Sequence, residues 1–312
     1  MPAPVTEERE AVQYEVRHTT AYRYTEPVPV CHNEIHLVPR SLPRQRLLSS
    51  SIVVEPQPVQ ISSHVDYFGN QAGTFSIEEG HERLVIEARS RVELDPSPPW
   101  QQLPPRPWEE LRDRLVHGLE PDTLQARQFA LPSPLVRPSA ALASWAGASF
   151  TASRPWHEAL LDLTRRIHRE FTYDPAATTT STPVEEVFSH RRGVCQDFAH
   201  LQIACLRSLG LAARYVSGYL SNERRPAAPG ADRVNDAGMV GADASHAWLA
   251  CWGGDGVWLD VDPTNDCAAG VLHITVAWGR DYGDVSPVKG VCVGVGGGRH
   301  AMQVAVHVSR MT

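Results

Sequence analysis

Cysteine, histidine and aspartate are the residue types of a thiol nucleophile, the base that activates it and the group that orients the base. Cys195 is the best placed thiol. It follows Gly193-Val194 and opens a stretch with helical apolar spacing (Phe198, Leu201, Ile203, Cys205, Leu206, Leu209) closed by Gly210, so the spacing predicts a helix that starts at the cysteine. A helix N-terminus carries partial positive charge and unpaired N–H groups, which favour thiolate over thiol and can hold a developing oxyanion. The bland alternative, a buried structural cysteine, is the commoner fate of the residue type.

His246 and Asp262 supply the other two types. The chain has 14 histidines, so nearness in sequence alone would mean little. His246 lies on a predicted strand, Ser245–Trp252, and Asp262 ends the next, Val257–Asp262. A four-residue loop, Gly253-Gly254-Asp255-Gly256, joins them. In that register Trp252 faces Val257 and His246 falls within one residue of Asp262; a one-residue bulge in the loop would put the pair directly opposite. Asp260 is about three residues out of register and is expected to be a supporting or surface group.

Other residues near these three have weaker claims. Gln196 and Trp248 are candidate oxyanion or substrate-pocket residues, with plain packing as the alternative. Asp197, two after the cysteine, is expected to cap the helix start or meet the Arg191-Arg192 loop. Its charge would oppose thiolate formation, so dipole and imidazolium must outweigh it. Cys205 reads as core. His32 and His36, with Glu34 between, would be about 13 Å apart on a strand, too far to share an ion. The glycine run Gly294–Gly298 lacks the helix and Lys-Ser/Thr of a phosphate loop and reads as a hairpin turn. No spaced-acid calcium loop occurs. Neither a metal nor a cofactor is expected.

These residues need elements to hold them. From 13 to 95 the chain alternates apolar and polar residues in short runs, such as Tyr14–His18, Ile52–Glu55, Thr74–Ile77 and Leu84–Ala88, separated by turns. That pattern predicts an all-β sandwich or barrel. Six prolines between Pro96 and Pro107 exclude helix and central strand, so 96–107 is read as a linker. Residues 108–312 form the core that carries the chemistry. Helices are expected from Trp108, after Ser153-Arg154-Pro155, and at the capping box Thr182-Pro183-Val184-Glu185. Strands are expected at Ala212–Leu220, His273–Trp278, Val291–Val295 and Met302–Val308. The polar loop Ser221–Asp243 shows no element signal and is read as a gate over the site.

Composition bounds the rest. At 312 residues, 42% hydrophobic and 21% charged, the chain has material for about two domains and a sizeable core. The net charge of −7 argues against nucleic acid as partner. No run of apolar residues is long enough to span a membrane, and Met1–Glu10 shows no signal-peptide pattern. Six cysteines without a CxxC pair suggest reduced thiols and a cytoplasmic setting. Lys289 is the single lysine beside 28 arginines, which makes self-crosslinking through lysine a poor prospect.

The strings Gly193-Val-Cys-Gln-Asp-Phe-Ala-His200, Asp243-Ala-Ser-His-Ala-Trp248 and Asp262-Pro-Thr-Asn265, in that order, resemble the bacterial transglutaminase-like family of the papain-like thiol enzymes. Tyr14–Tyr22, His32–His36 and Asp66–Asn70 resemble its N-terminal β region, and Val276–Pro287 its C-terminal extension. The resemblance implies an α+β fold, a cysteine helix packed on an antiparallel sheet. It implies Cys195 as nucleophile, His246 as acid–base and Asp262 as orienter. The reaction implied is acyl transfer through a thioester, led by a cysteine protease or amidase acting on a peptide or protein. A transglutaminase or amide ligase using an amine acceptor is the alternative. Acetyl transfer from coenzyme A fits the strings less well. A non-enzymatic two-domain scaffold, binding a partner protein through its β domain, would be expected to have lost one of the three residues.

Overall fold

The computed structural model describes residues 11–96, 100–221, 239–241, 244–294 and 300–311. Most of the Ser221–Asp243 loop, the Gly294–Gly298 run beyond its first residue and the Met1–Glu10 segment lie outside them. Alternation in the first third produces the strands β1 (Val12–Val28), β2 (Val30–Ile35), β3 (Gln45–Glu55), β4 (Ile61–Val65), β5 (Gln71–Ile77) and β6 (His81–Leu94). After the proline-rich stretch come helices α1 (Trp108–His117), α2 (Pro121–Arg127), α3 (Ala140–Gly147) and α4 (Trp156–Glu170). Next are β7 (Thr172–Tyr173), α5 (Val184–His190), β8 (Arg192–Gly193) and α6 (Cys195–Ser208). The chain then runs through β9 (Ala213–Leu220), β10 (His246–Gly254), β11 (Val257–Asp262), β12 (Cys267–Ala268), β13 (His273–Gly279), β14 (Val288–Val293) and β15 (His300–Arg310). The class is α+β, as the sequence implies. Among the described residues no helix is long and apolar enough to cross a membrane.

Two antiparallel sheets form a sandwich, β15-β1-β6-β3 and β14-β2-β5-β4, and a third, β12-β11-β10-β9-β13, carries the helices. The sequence reading placed residues 288–310 with the core. Instead β14 pairs with β2 and β15 with β1, in an unbroken register from Tyr14↔Arg310 to Tyr24↔His300. Short-range periodicity identifies a strand but not its partner, and these two return across the whole chain.

One face of β6 explains how the units join. Leu84, Ile86 and Ala88 point inward against Ile35, Phe75 and Ile77 of the second sheet. Val92 and Leu94, on the same face further along, join the helical core with Tyr14, Val16, Val306 and Val308. A single sheet surface thus covers both its partner sheet and the domain of α6. The edge strand β13 is also tied down. The Gln45 side-chain amide donates to the Thr275 carbonyl (2.7 Å) and accepts from its N–H (2.8 Å). Asn70 does the same for Trp278, at 2.9 and 3.0 Å. Asp66 holds the Asn70 amide (2.7 Å), and the Arg40 guanidinium lies 3.6 Å over the Trp278 ring. Each amide replaces a neighbouring strand, pairing backbone groups that burial would otherwise leave unsatisfied.

Candidate active site

Helix α6 is the central helix, buried along nearly its whole length. It starts at Cys195 because the chain before it is extended, with Val194 at φ −115° and ψ −177°, and because Asp197 turns back on that residue. The Asp197 carboxylate accepts from the Val194 N–H (2.8 Å) and from the Thr178 hydroxyl (2.6 Å). This is the capping role read from the sequence. Burial pushes the Asp197 carboxyl up, against both bonds. Gly193 is required here, since a Cβ would sit 2.7 Å from the Asp197 carboxylate. Cys195 itself is half-buried. The helix start leaves its first N–H groups without intrahelical acceptors.

The β10–β11 hairpin differs from the expected register. Its loop is the two-residue turn Asp255-Gly256, both at positive φ (52° and 74°), with Gly254 paired to Val257. Asp-Gly flanked by apolar strands is a strong signal for this tight turn, and the four-residue loop read from the sequence overlooked it. The irregularity between Trp252 and Gly254 shifts the register the other way, so Leu249 faces Val261 and Trp252 faces Trp258. Asp262 is therefore not opposite His246 but diagonal to it, a separation long side chains can bridge.

They do bridge it. His246 Nε2 lies 2.8 Å from Asp262 Oδ2, with both side chains fully buried. The carboxylate is held by four further donors. Oδ1 accepts from the N–H groups of Thr264 (2.9 Å) and Asn265 (3.3 Å). Oδ2 also receives the Asn265 amide (2.7 Å) and His273 Nε2 (3.3 Å). His273 Nδ1 accepts from the Gly270 N–H (3.4 Å), which leaves the ring proton on Nε2, aimed at Asp262.

This cradle sets the charges. Burial alone would raise the Asp262 carboxyl, but the two imidazoles hold it well below the usual carboxylate range. For His246 burial opposes charge, yet Asp262 and Cys195 outweigh it and raise the imidazole from 6.5 to about 10. Cys195 is thus the second group acting on this ring. With Nε2 committed to Asp262, the nitrogen left for it is Nδ1, which is buried and has no completed hydrogen bond among the described residues.

The remaining candidates act at a distance. Trp248 donates its indole N–H to Asp260 (3.1 Å), so that donor is not free for an oxyanion. Its ring lies against His246 (6.2 Å, 27°) and edge-on to His273 (5.2 Å). Gly218 makes room for it, since a side chain there would collide with the indole. Asp260 is the supporting group the sequence suggested. The Gln196 side chain donates to the Thr180 carbonyl (3.0 Å), which ties the helix start to the preceding loop. Cys205 is core, its thiol pushed up to about 12 by burial.

Three participants carry no assigned role in the sequence analysis. His273, Thr264 and Asn265 all serve Asp262, and Asn265 also pairs with the Val240 backbone through Oδ1 (2.9 Å) and Nδ2 (3.3 Å). Asn265 was visible within the Asp262-Pro-Thr-Asn265 string; His273, on another strand, carried no local signal. Asp262, Cys267 and His273 are also the group among the described residues whose ligand atoms, all within 4.8 Å of one another, could hold a metal ion. A cation there would take the carboxylate from His246.

Residues 14–93 match the bacterial transglutaminase-like N-terminal region, and 145–263 the transglutaminase-like superfamily. An uncharacterized protein of Mycobacterium tuberculosis is 41% identical over 286 residues, 89% of this chain and 87% of its own. One from Mycobacterium leprae is 31% identical over 296 residues, 95% and 98% of the two chains. A Pseudomonas aeruginosa protein-glutamine gamma-glutamyltransferase is 33% identical over 108 residues, 34% of this chain but 15% of its own. Among solved structures, one from Cytophaga hutchinsonii, provisionally named a cysteine protease, superposes with a TM-score of 0.73 at 20% identity, covering 97% of this chain and 92% of that one. On its two matched regions and its full-length relatives, the chain belongs to the bacterial transglutaminase-like family.

Proposed function

We propose that this protein is a cysteine-dependent amidohydrolase acting on peptide or protein substrates. The observation that carries the reading is the buried His246–Asp262 pair at 2.8 Å, with Cys195, at a helix start, the other group that raises the imidazole. In this mechanism the Cys195 thiol gives its proton to His246 Nδ1, forming a thiolate–imidazolium pair. The thiolate attacks the amide carbonyl carbon, and N–H groups at the start of α6 receive the developing oxyanion. Collapse of the tetrahedral intermediate breaks the C–N bond. His246 passes its proton to the leaving amine, and a thioester remains on Cys195. His246 then takes a proton from water, which attacks the thioester and releases the acid. Asp262 stays ionised throughout and fixes the ring.

The local match to a gamma-glutamyltransferase supports a second reading, in which an amine replaces water in the last step. The same three residues serve both. The discriminating assay follows the wild-type acyl-enzyme with water and a primary amine in competition. The preceding test is alkylation of Cys195 by iodoacetamide from pH 4 to 9, in wild type and His246→Ala, read by mass spectrometry. Reactivity well below pH 8 that disappears in His246→Ala is expected. An inert Cys195, or one indifferent to His246, would overturn the proposal.

A further inference from the structure

Two further cysteines face each other in the sandwich, on strands β2 and β14. In the β14–β2 ladder Cys292 is directly opposite Cys31. Opposed residues of antiparallel strands share a face, and their Cα separation of about 4.5–5.5 Å falls within the range a disulfide spans. Both are free thiols, Cys31 buried and Cys292 exposed on the edge strand.

The surroundings of Cys31 suit thiol chemistry. His81 Nε2 is 3.6 Å from its sulfur. His81 Nδ1 lies 2.8 Å from the Glu79 carbonyl, an acceptor only, so the ring proton sits on Nδ1 and Nε2 is free to take the thiol's. The Asn33 amide donates to the same sulfur at 3.2 Å, a bond that strengthens on ionisation. On balance burial, with Cys292 adding to it, pushes the Cys31 thiol up, while Asn33 and the Ile77 backbone pull it part of the way down. By contrast Cys205 and Cys251 are enclosed, their thiols pushed up to about 12, with no such base among the described residues.

We propose that Cys31 and Cys292 form a reversible cross-strand disulfide under a two-electron oxidant such as hydrogen peroxide. The exposed Cys292 sulfur attacks the peroxide, breaking the O–O bond to give a sulfenic acid and water. Cys31 passes its proton to His81, and its thiolate attacks the Cys292 sulfur, closing the S–S bond. Hydroxide leaves and takes the proton back from His81 as water. Overall two thiols and one peroxide become one disulfide and two waters.

The bond would pin the chain where it returns from the core to the sandwich. Just before β14 the His36 N–H bonds the Pro287 carbonyl (3.0 Å), and earlier still the Tyr282 N–H bonds His200 of α6 (3.1 Å). The closed loop holds ~260 residues, the long-loop case in which a crosslink restricts the unfolded chain most.

The experiment treats the full chain with one equivalent of hydrogen peroxide, in wild type and Cys292→Ser, followed by non-reducing peptide mapping and thermal melting. A 31–292 linked peptide 2 Da below the summed masses is expected, with a melting temperature several degrees higher, reversed by dithiothreitol. Both effects should be absent in Cys292→Ser, an exposed position where the fold tolerates the change. Two results would overturn the proposal: Cys292 trapped by dimedone while Cys31 stays alkylatable, or Cys292 linked to any cysteine other than Cys31.

Discussion

Replacing Asp262 by asparagine tests the charge logic of the site more sharply than removing the thiol. The His246 imidazole is raised from 6.5 to about 10. At ~1.4 kcal/mol per pH unit, its charged form is favoured by roughly 5 kcal/mol over water. Burial works against that figure, so the attraction comes from Asp262 and Cys195 together. Without the Asp262 charge, burial is left to oppose the imidazolium with only Cys195 against it, so the imidazole falls back toward 6.5 and the thiolate–imidazolium pair is depleted near neutrality. The substitution also turns one acceptor oxygen into a donor facing some of the five donors now converging on Asp262. That clash costs folding stability of roughly 2–4 kcal/mol. The assay is iodoacetamide alkylation of Cys195 at pH 7 by mass spectrometry, with urea unfolding on the same preparation. A folded Asp262→Asn protein whose Cys195 reacts as fast as wild type would refute the reasoning, because the carboxylate would then have no hold on the pair.

Further outcomes follow from the same geometry. His273→Leu removes one of the donors on Asp262 Oδ2 and should lower stability by about 2 kcal/mol, with slower alkylation of Cys195; unchanged urea midpoints and rates would count against a positioning role. Gly241 sits at φ +91° with its absent Cβ 2.7 Å from His246 Nδ1, so Gly241→Ala should displace the ring and depress Cys195 reactivity far more than the melting temperature. Gln45→Ala strips the Thr275 N–H of its side-chain acceptor, while the Thr275 carbonyl keeps the Arg40 N–H (3.2 Å), and should cost about 1–3 kcal/mol in urea unfolding. Buried His18 and His200 are lowered to about 4 by desolvation. The unfolded chain therefore binds their protons first, and stability should drop by ~3 kcal/mol for each as pH falls from 6.5 to 4. His246 runs the other way, its contribution full below 6.5 and lost as pH rises through about 10.

The legible parts of this molecule were local. The start of α6 at Cys195 followed from apolar spacing, and Asp197 as its cap from residue type and position. The strands of the first domain followed from alternation. What failed needed information the chain does not hold locally. The helices at Pro121–Arg127 and Ala140–Gly147 are too short and weakly patterned to stand out. Hairpin register hung on one tight turn, where a two-residue Asp-Gly loop was read as four residues. His273 reaches Asp262 from a strand that is not its hydrogen-bonded neighbour, so only tertiary structure could reveal it. The destination of the last two strands was invisible for the same reason.

That destination bears on how the protein is made. The sandwich begins with β1, yet β1 and β2 each gain one neighbour from residues 288–310. On a ribosome the chain emerges from its N-terminus, so the first domain cannot complete its sheets until residues 288–310 have followed it. Such long-range pairings carry a high loop-closure cost and form slowly. The exposed edges of β1 and β2 must meanwhile be shielded from strands of other nascent chains. Deleting the final strand should therefore harm solubility in the cell far beyond what the loss of 11 residues suggests.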